Sequence, residues 1–324
     1  MKYSMSSIDK ALYTPCWLLF DAEKKGSENQ CVGLAAALNL NFKKFPVKIS
    51  KPWIWLPRFL WPLSCGLSAL PETLPKIIIC SGRKSASIAL KIKEKNPGIK
   101  VICLLNPRFK NDAFDLIIAP KHDRLKGPNV IETIGVLHHV TPQALESAEG
   151  KFSSLQDPSK PNLVVLIGGS NKYMDITQEN AQEWAQAIHK ICLERNYNLR
   201  LTFSRRTPEA VQTTMRQNLE DLPGAYIWDG LGDNPYFAFL SMAHTILVTG
   251  DSVSMLSEAS SLGKPLYILA PKVRQKSKFN VFWEDLIEYN HGRIFKGDLD
   301  QTWIQTPLDN ISGIRAKMND LLNL

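Results

Sequence analysis

Short apolar runs alternate with amphipathic helical patterns along most of the chain, and this alternation allows few architectures. The runs are continuous and rich in Val, Ile and Leu, which is typical of strands buried on both faces. Repeated strand–helix–strand units form parallel sheets covered by helices, so we predict an α/β fold. The predicted strands are residues 16–20, 76–80, 101–105, 114–119, 163–169, 199–203, 225–229, 245–250 and 265–269. The predicted helices are residues 27–40, 85–95, 177–195, 207–220, 235–243 and 252–262.

A polar segment with two prolines interrupts this pattern, at QALESAEGKFSSLQDPSKPN (143–162). Because domain boundaries fall in such stretches, we predict a linker at 143–160. A length of 324 residues is sufficient for two domains. The expected architecture is therefore two Rossmann-like domains, 1–142 and 161–300, whose parallel sheets face a cleft. Residues 301–324 are expected to form a final helix.

Charge is unevenly distributed between the two halves. Residues 1–160 contain 23 Lys and Arg against 13 Asp and Glu, a net of +10, whereas residues 161–324 contain 16 against 18, a net of −2. A basic half indicates an anionic partner such as phosphate, lipid headgroups or nucleic acid, although a solvated lysine-rich surface explains it equally well. Nucleic acid is not expected, because the sequence contains no recognisable nucleic-acid-binding module.

Cysteine spacing and the lack of long apolar runs bear on location and metal binding. None of the six cysteines is spaced as C-x-x-C, and Cys80 and Cys103 are typical of small core residues. The pair His138 and His139 lacks metal-ligand spacing, so no metal is expected.

The N-terminus MKYSMSSIDK lacks the apolar region of a signal peptide, and no run of 18 apolar residues exists. We therefore expect a cytoplasmic protein, peripheral at most on the cytoplasmic face of the inner membrane.

Small and basic side chains follow two predicted strands of the second half. In open parallel sheets, ligands bind beyond the carboxyl ends of the strands. Gly168, Gly169 and Ser170 follow one strand; the glycines either admit a ligand close to the backbone or form a tight turn without one. Arg205 and Arg206 follow another strand and suit a phosphate or a carboxylate, unless they point into bulk water. Neither segment is a dinucleotide fingerprint or a Walker loop.

The stretch TGDSVSMLSEASSLGKP ends a further strand and opens a helix. Asp251 or Ser252 is predicted to cap this helix, whose free N–H groups favour an anion. Ser254 adds a hydroxyl group, and Glu258 lies one turn further on the same face, where a carboxylate can accept hydrogen bonds from a sugar. The alternative is a well-capped helix with one solvated glutamate. Asp233 or Asn234 is a candidate cap for the helix that begins at Pro235. Asn234 and Asp251 are also candidate contacts of a nucleotide or its phosphates.

Charged residues also follow the strands of the first half. Arg83, Arg108, His122 and Asp123 come after predicted strands and are expected at one edge of the cleft. Arg83, beside a helix N-terminus, belongs to a candidate anion site. His122 next to Asp123 is a candidate general base because histidine titrates near neutrality, although adjacent residues rarely pair in this way.

The segment KISKPWIWLPRFLWPLS (48–64) combines three tryptophans with three prolines and several basic residues. The prolines preclude a long regular helix. Trp53, Trp55 and Trp61 beside Lys and Arg are typical of an interfacial anchor, which predicts contact with an anionic membrane surface or a lipid-linked acceptor. A buried loop or a lid over an acceptor site is the alternative.

Nine motifs run in order along the chain: GSENQ (26–30), SGRKSA (81–86), NPR (106–108), APKHD (119–123), IGVLHHVT (134–141), IGGS (167–170), SRRTP (204–208), GDNPY (232–236) and TGDSVSMLSEASSLGKP (249–265). This set resembles the mitochondrial fission "elongated mitochondria" family, and the second half resembles the donor domain of GT-B glycosyltransferases. The resemblance implies a GT-B-like fold, a nucleotide-diphosphate sugar as substrate, and no required cofactor. It also implies that the diphosphate contacts the glycine-serine turn, Ser252 and Ser254, and that the ribose contacts Glu258.

The resemblance is weaker in the first loop, DAEKKGSENQ. There the peptidoglycan transferase has a glycine-rich loop with a histidine, which this chain lacks. The identity of a catalytic base therefore stays open, with Asp21, Glu28 and His122 as candidates. Asn29 and Gln30 are expected beside them in the cleft.

Two functions are compatible with the resemblance. One is a metal-independent GT-B-type glycosyltransferase, in which a helix dipole and basic side chains stabilise the leaving diphosphate and the acceptor is lipid-linked or an envelope glycan. The other is a non-catalytic GT-B-like protein of a membrane surface. The sequence predicts neither the sugar nor the oligomeric state.

Overall fold

The structure is a computed structural model that describes residues 16–67, 73–275, 277–300 and 302–322. The chain divides into two compact units. Unit 1 comprises the residues up to His139 and those from Asp309 onwards, and unit 2 comprises Val140–Leu308. Each unit contains a six-stranded parallel sheet, which confirms the predicted α/β fold. The N-terminal segment, in which no signal peptide is expected, lies outside the described residues.

In the sheet of unit 1, the order of the strands changes direction between the first and the third strand of the chain. Its strands are β1 (Cys16–Asp21), β2 (Phe42–Val47), β3 (Ile77–Ser81), β4 (Lys100–Leu104), β5 (Leu116–Pro120) and β6 (Val130–Thr133). They lie in the order β2-β1-β3-β4-β5-β6, and all neighbours are parallel. The sequence does not predict β2, because its lysines and proline are typical of loops; on a sheet edge the same residues prevent further strand pairing.

Two helices follow strands of unit 1 and cover its sheet: α1 (Lys25–Ala37) and α2 (Arg83–Lys95). Cys80 on β3 and Cys103 on β4 are neighbours in register and lie in the core, as predicted. The segment between β2 and β3 forms short 3-10 turns at Trp53–Trp55, Arg58–Leu60 and Leu63–Cys65. The prolines therefore break this segment into turns, as expected of a sequence whose prolines preclude a long regular helix.

The sheet of unit 2 has the same kind of reversal. Its strands are β7 (Asn162–Ile167), β9 (Asn198–Phe203), β10 (Tyr226–Ile227), β11 (Thr245–Thr249), β12 (Leu266–Leu269) and β14 (Arg293–Ile294), while β8 (Met174–Asp175) and β13 (Lys272–Val273) form a separate antiparallel pair. The order is β10-β9-β7-β11-β12-β14, with all neighbours parallel. The order reverses between β7 and β11, and ligands of open α/β sheets bind beyond the carboxyl ends of the strands at such a point.

The described residues of unit 2 form six α-helices: α3 (Pro142–Lys151), α4 (Gln178–Glu194), α5 (Glu209–Leu219), α6 (Tyr236–Met242), α7 (Val253–Ser260) and α8 (Lys278–Glu288). The segment predicted as a linker therefore contains α3. Thr141 caps this helix by accepting a 3.2 Å hydrogen bond from the Ala144 N–H. The helix packs against α6, and Glu149 accepts a hydrogen bond from Ser241.

The last helix, α9 (Ile311–Leu322), belongs to unit 1. Ile314 and Met318 are buried in the same core cluster as Leu34. Arg315 donates a 2.7 Å hydrogen bond to the carbonyl oxygen of Ala37 at the end of α1. The final segment of the chain, whose position the sequence does not predict, thus completes the core of unit 1.

Candidate functional site

Asp251 connects the loops that follow three neighbouring strands of unit 2. The residue is 3% exposed, and its side chain is fully buried. One carboxylate oxygen accepts hydrogen bonds from the Gly169 N–H at 3.0 Å and from Arg206 at 3.2 Å, while the other accepts the Thr249 hydroxyl at 2.7 Å. A buried carboxylate with three donors is poorly suited to contact a phosphate, because both are anionic. The expectation that Asp251 itself binds phosphate is therefore revised: it positions the loops after β7, β9 and β11.

Two threonines strengthen the same junction. The Gly168 N–H donates a 2.7 Å hydrogen bond to Oγ1 of Thr249. The Thr207 hydroxyl donates to the carbonyl oxygens of Gly168 and Ile167, at 2.5 and 3.1 Å. Since these groups lie on the ends of β7 and β11 and on the loop after β9, the carboxyl edge of the sheet is fixed by side-chain hydrogen bonds as well as by the strand ladder.

The two glycines after β7 are required by contacts within the protein. A Cβ atom on Gly168 would lie 2.0 Å from Oδ1 of Asp251, and one on Gly169 would lie 2.2 Å from the carbonyl oxygen of Arg206. The space beside both glycines is therefore occupied by neighbouring loops, which agrees with the alternative of a tight turn without a ligand. Ser170 accepts a 3.0 Å hydrogen bond from the Ile176 N–H, so its hydroxyl stabilises the following turn.

The two arginines after β9 differ in their contacts. Arg206 is 55% exposed at its side chain and pairs with Asp251. Arg205 is exposed and forms no hydrogen bond or ion pair within the described part of the chain. Arg205 is therefore a cation at the edge of the sheet whose five donors are available to an anion.

The N-terminus of α7 follows β11 and lies next to Asp251. Ser252 caps the helix by accepting a 3.3 Å hydrogen bond from the Met255 N–H, as predicted, and Ser254 is exposed. Gly250 closes the turn, where a Cβ atom would lie 2.1 Å from the ring of Trp283. Trp283 in turn donates a 3.0 Å hydrogen bond to the Gly250 carbonyl oxygen. The free N–H groups in the first turn of α7 thus lie where the strand order reverses, between β7 and β11.

Glu258 on α7 is buried, with 7% exposure, and accepts a 2.5 Å hydrogen bond from the Tyr236 hydroxyl. Burial raises the pKa of Glu258 to about 7, and the hydrogen bond from Tyr236 opposes that rise. Burial and the nearby Glu258 raise the pKa of Tyr236 well above its usual range. The sequence predicts Glu258 as a site residue but does not predict its partner. Asn234 accepts a 2.9 Å hydrogen bond from the Tyr236 N–H and so organises the start of α6.

In unit 1, Asp21 lies at the corresponding reversal, at the carboxyl end of β1. Its carboxylate is buried, accepts a 3.2 Å hydrogen bond from the Glu23 N–H, and lies 3.8 Å from Nζ of both Lys24 and Lys84. Ser27 on α1 donates a 2.7 Å hydrogen bond to the Ser81 carbonyl oxygen, which joins the loop after β1 to the end of β3. The Asp21 carboxylate thus has two lysines nearby, both at a distance beyond hydrogen-bonding range.

Glu28 has closer partners than Asp21. It pairs with Lys25 at 2.8 Å and with Lys44 at 2.9 Å. Hydrogen bonds from these two lysines lower the pKa of Glu28, so its carboxylate is a weak base. Gln30 is buried and accepts a 3.4 Å hydrogen bond from the Ser81 hydroxyl, and Asn29 is half-buried on α1.

The remaining candidates of unit 1 follow the neighbouring strands β3, β4 and β5. Arg83 and Arg108 are exposed and form no ion pair within residues 16–67 and 73–139. His122 is buried, and its Nε2 lies 3.9 Å from Oδ1 of Asp123, which is beyond hydrogen-bonding distance. Burial lowers the pKa of His138 to about 4, so this histidine is neutral at physiological pH. The described residues contain no cluster of His, Cys, Asp and Glu able to hold a metal ion.

The three tryptophans of segment 48–64 have different surroundings. Trp55 is 72% exposed, Trp53 is half-buried and packs against the core, and Trp61 is only 4% exposed. Trp61 donates a 3.0 Å hydrogen bond to the Leu56 carbonyl oxygen. The expectation that Trp61 contacts a membrane is revised, because this side chain lies in the core. Over the described residues, no helix combines the length and the apolar character needed to cross a membrane.

The fold is similar to that of solved nucleotide-sugar enzymes. The UDP-GlcNAc 2-epimerase of Methanocaldococcus jannaschii superposes with a TM-score of 0.61 at 12% identity, over 96% of this chain and 100% of that chain. Its complex with UDP-GlcNAc and UDP gives a TM-score of 0.50 at 12% identity, over the same shares. At these identities the likeness concerns the fold alone, and it confirms the predicted GT-B-like architecture.

Sequence comparison gives a family. The chain is 29% identical to an uncharacterized protein of Rickettsia prowazekii (strain Madrid E), over 86% of this chain and 90% of that protein. It is 27% identical to the mitochondrial fission protein ELM1 of Arabidopsis thaliana, over 88% of this chain and 86% of that protein. The model of the family described as mitochondrial fission ELM1 matches residues 25–321. As the order of its motifs predicts, the chain belongs to the mitochondrial fission ELM1 family.

Proposed function

We propose that unit 2 binds a nucleotide-diphosphate sugar beyond the carboxyl ends of β9, β7 and β11. We further propose that the protein is a metal-independent glycosyltransferase of the GT-B type. The observation that carries the proposal is the junction at Asp251, which joins Gly169, Arg206 and Thr249 and so brings three loops to one edge of the sheet. Parallel α/β sheets bind their ligands at this kind of edge.

The diphosphate half of the ligand is matched by positive groups on these loops. The N-terminus of α7 stabilises an anion by roughly 0.3–1 kcal/mol. A hydrogen bond to a charged group contributes more, about 1.5–3 kcal/mol. Arg205 has no competing partner among the described residues, whereas the charge of Arg206 is already balanced by Asp251. Arg205 is therefore the expected main diphosphate contact, with Ser252 and Ser254 beside it.

The ribose half of the ligand is matched by Glu258. An ionised carboxylate accepts hydrogen bonds from both ribose hydroxyls, as the acidic residue of dinucleotide-binding folds does. Glu258 lies on α7, the helix whose N-terminus is the proposed phosphate contact, and Tyr236 holds its carboxylate. The M. jannaschii epimerase of similar fold has UDP-GlcNAc and UDP bound in its structure, which supports a nucleotide sugar as the ligand class.

Calorimetric titration of the full chain with UDP, GDP and their sugar conjugates tests the binding half of the proposal. We expect at least one nucleoside diphosphate to bind, and Arg205→Ala to weaken this binding by about tenfold or more. Lys190→Ala is the matched control: it also removes one exposed positive charge of unit 2, on the surface of α4. Equal affinities of wild type and Arg205→Ala would count against the proposed diphosphate site.

Transfer requires a base as well as a nucleotide site. Of the two carboxylate candidates, Asp21 suits this role better: its two lysine neighbours lie 3.8 Å away, whereas Glu28 pairs with two lysines at 2.8 and 2.9 Å and its pKa is lowered. His122 stays the third candidate. The proposed acceptor is lipid-linked or an envelope glycan. If Asp21 is the base, Asp21→Asn abolishes transfer to acceptors in a membrane extract while calorimetry shows unchanged nucleotide affinity.

A second function is supported by the contacts of these same groups. Asp21 and Glu28 both accept hydrogen bonds within unit 1, which is also expected of carboxylates with a purely structural role. The protein would then bind a nucleotide sugar at a membrane surface without transferring the sugar. Binding without release of UDP or GDP, in the presence of the same membrane extract, would favour this non-catalytic function.

A further inference from the structure

Five exposed apolar side chains lie close together in the chain, within residues 54–60 on the turns between β2 and β3. We call this surface the aromatic patch; it consists of Ile54, Trp55, Leu56, Phe59 and Leu60. Trp55 and Phe59 are 72% and 74% exposed, and the other three are at least 40% exposed. Exposed apolar groups of this size, adjacent in the chain, mark interaction sites rather than ordinary surface.

A pocket of about 680 Å³ opens among the same residues. Its walls include every residue of the aromatic patch except Leu60, together with Trp61, Phe109, and Leu90 and Lys91 of α2. This volume lies within the range of small-molecule pockets, roughly 300–1,000 Å³. The surface therefore combines outward-facing apolar side chains with a recess that could receive part of an apolar chain.

The aromatic patch is held in place by hydrogen bonds and packing. Lys91 donates a 3.1 Å hydrogen bond to the Phe59 carbonyl oxygen, and Trp61 donates one to Leu56 from its buried position. Trp53, at the other end, packs against the core of unit 1. Because these contacts fix both turns, the exposed side chains are presented on a preformed surface.

The charge around the aromatic patch is strongly positive. Lys51 lies 5.5 Å from the centre of the Trp55 ring, and Arg58 lies 5.2 Å from that of Phe109. Lys91 and Lys110 also line the pocket, whereas its only acidic residue among those described is Glu94. The chain contains no Asp or Glu between Glu28 and Glu72. Four cations against one acidic residue, Glu94, which pairs with Lys110, give the surroundings of the aromatic patch a net charge of +3.

We propose that the aromatic patch docks on the surface of a bilayer that contains anionic lipids. Trp55 and Phe59 enter the interfacial layer, where aromatic rings are favoured, and the surrounding Lys and Arg meet the lipid headgroups. An apolar surface surrounded by positive charge is complementary to such a bilayer, because the negatively charged headgroups lie above the apolar lipid chains. This docking does not depend on nucleotide binding by unit 2.

Vesicle flotation of the full chain tests the docking. We expect the protein to float with vesicles of phosphatidylcholine and phosphatidylglycerol, and to stay unbound with phosphatidylcholine alone or at high salt. The double variant Trp55→Ser/Phe59→Ser should bind the anionic vesicles at least about tenfold more weakly. Leu193→Ser/Ile304→Ser, which alters two exposed apolar residues of unit 2, should bind like the wild type.

Several results would overturn the proposal. They are the absence of binding to anionic vesicles, equal binding to neutral vesicles, and an equal loss in both double variants. Circular dichroism and thermal unfolding establish that each variant is folded, which is expected because the altered side chains are exposed. Sedimentation equilibrium tests whether the aromatic patch instead binds a second copy of the chain. A wild-type dimer that becomes a monomer in Trp55→Ser/Phe59→Ser, together with no binding to vesicles, would identify the patch as a dimer interface. That result would overturn lipid docking.

Discussion

The hydroxyl of Tyr236 on α6 donates a 2.5 Å hydrogen bond to the buried carboxylate of Glu258 on α7. This bond joins the GDNPY motif to the last motif of the chain. Burial raises the pKa of Glu258 to about 7, and the bond from Tyr236 opposes the rise. Glu258 therefore changes its protonation state near neutral pH, with consequences for stability and for binding.

The stability of the wild type relative to Glu258→Gln should fall as pH rises. The usual pKa of a glutamate is 4.5 and that of folded Glu258 is about 7, so between these values the folded state binds more protons than the unfolded state. Stability falls with pH wherever the folded state binds more protons. The total change is on the order of 3 kcal/mol. Urea unfolding of both proteins at pH values from about 5 to about 8 measures it, and a constant difference would contradict the raised pKa.

Tyr236→Phe should move the pKa of Glu258 further upward, because it removes the hydrogen bond that lowers it. The stability difference relative to Glu258→Gln changes with pH, and the midpoint of that change should then lie at a higher pH. Tyr226→Phe is the matched control: Tyr226 is a half-buried tyrosine of unit 2 that contacts the ring of Phe239. No shift in Tyr236→Phe, or an equal shift in both variants, would show that the bond does not control Glu258.

Gly168→Ala should destabilise the protein by about 1–3 kcal/mol, the usual cost of overpacking. Its Cβ atom would lie 2.0 Å from Asp251, so the carboxylate must move from the Gly169 N–H and from Thr249. Gly150→Ala is the control, since Gly150 lies on α3 with no atom within 4 Å of its Cβ position. We expect this control to be neutral or stabilising by up to about 1 kcal/mol. Thermal unfolding of both variants measures the contrast.

The ion pair between Asp251 and Arg206 should contribute little to stability, although Asp251 itself contributes much. Asp251→Asn should cost about 2–3 kcal/mol, because buried donors lose a charged acceptor. Arg206 is half-exposed, so solvent screens its charge and the coupling in a double-mutant cycle with Arg206→Ala should be about 1 kcal/mol or less. A coupling of several kcal/mol, measured by urea unfolding, would show that the pair is shielded from water.

The strands of the core could be predicted because they are continuous runs of β-branched and apolar residues. Short or polar strands could not: β14 has only two residues, and β2 contains two lysines and a proline. Such strands are fixed by their neighbours in the sheet rather than by their own pattern. The helix cap at Ser252 was predictable from the local sequence, since capping depends on residues within one turn.

The parts of the site that depend on distant contacts could not be predicted. Tyr236 and Glu258 lie on separate helices, and no local spacing links them. The role of Gly168 was open to a ligand or to a turn, and only the position of Asp251 explains the need for glycine. Composition alone likewise does not distinguish Trp55, which is exposed, from Trp61, which is buried.

A crystal structure of the protein with UDP or GDP bound tests the central claim most directly. We predict the diphosphate beside the N-terminus of α7, in contact with Arg205 and with Ser252 or Ser254, and the ribose hydroxyls at the carboxylate of Glu258. No nucleotide at the ends of β7, β9 and β11 at saturating concentration, or a nucleotide bound elsewhere on the protein, would contradict the account.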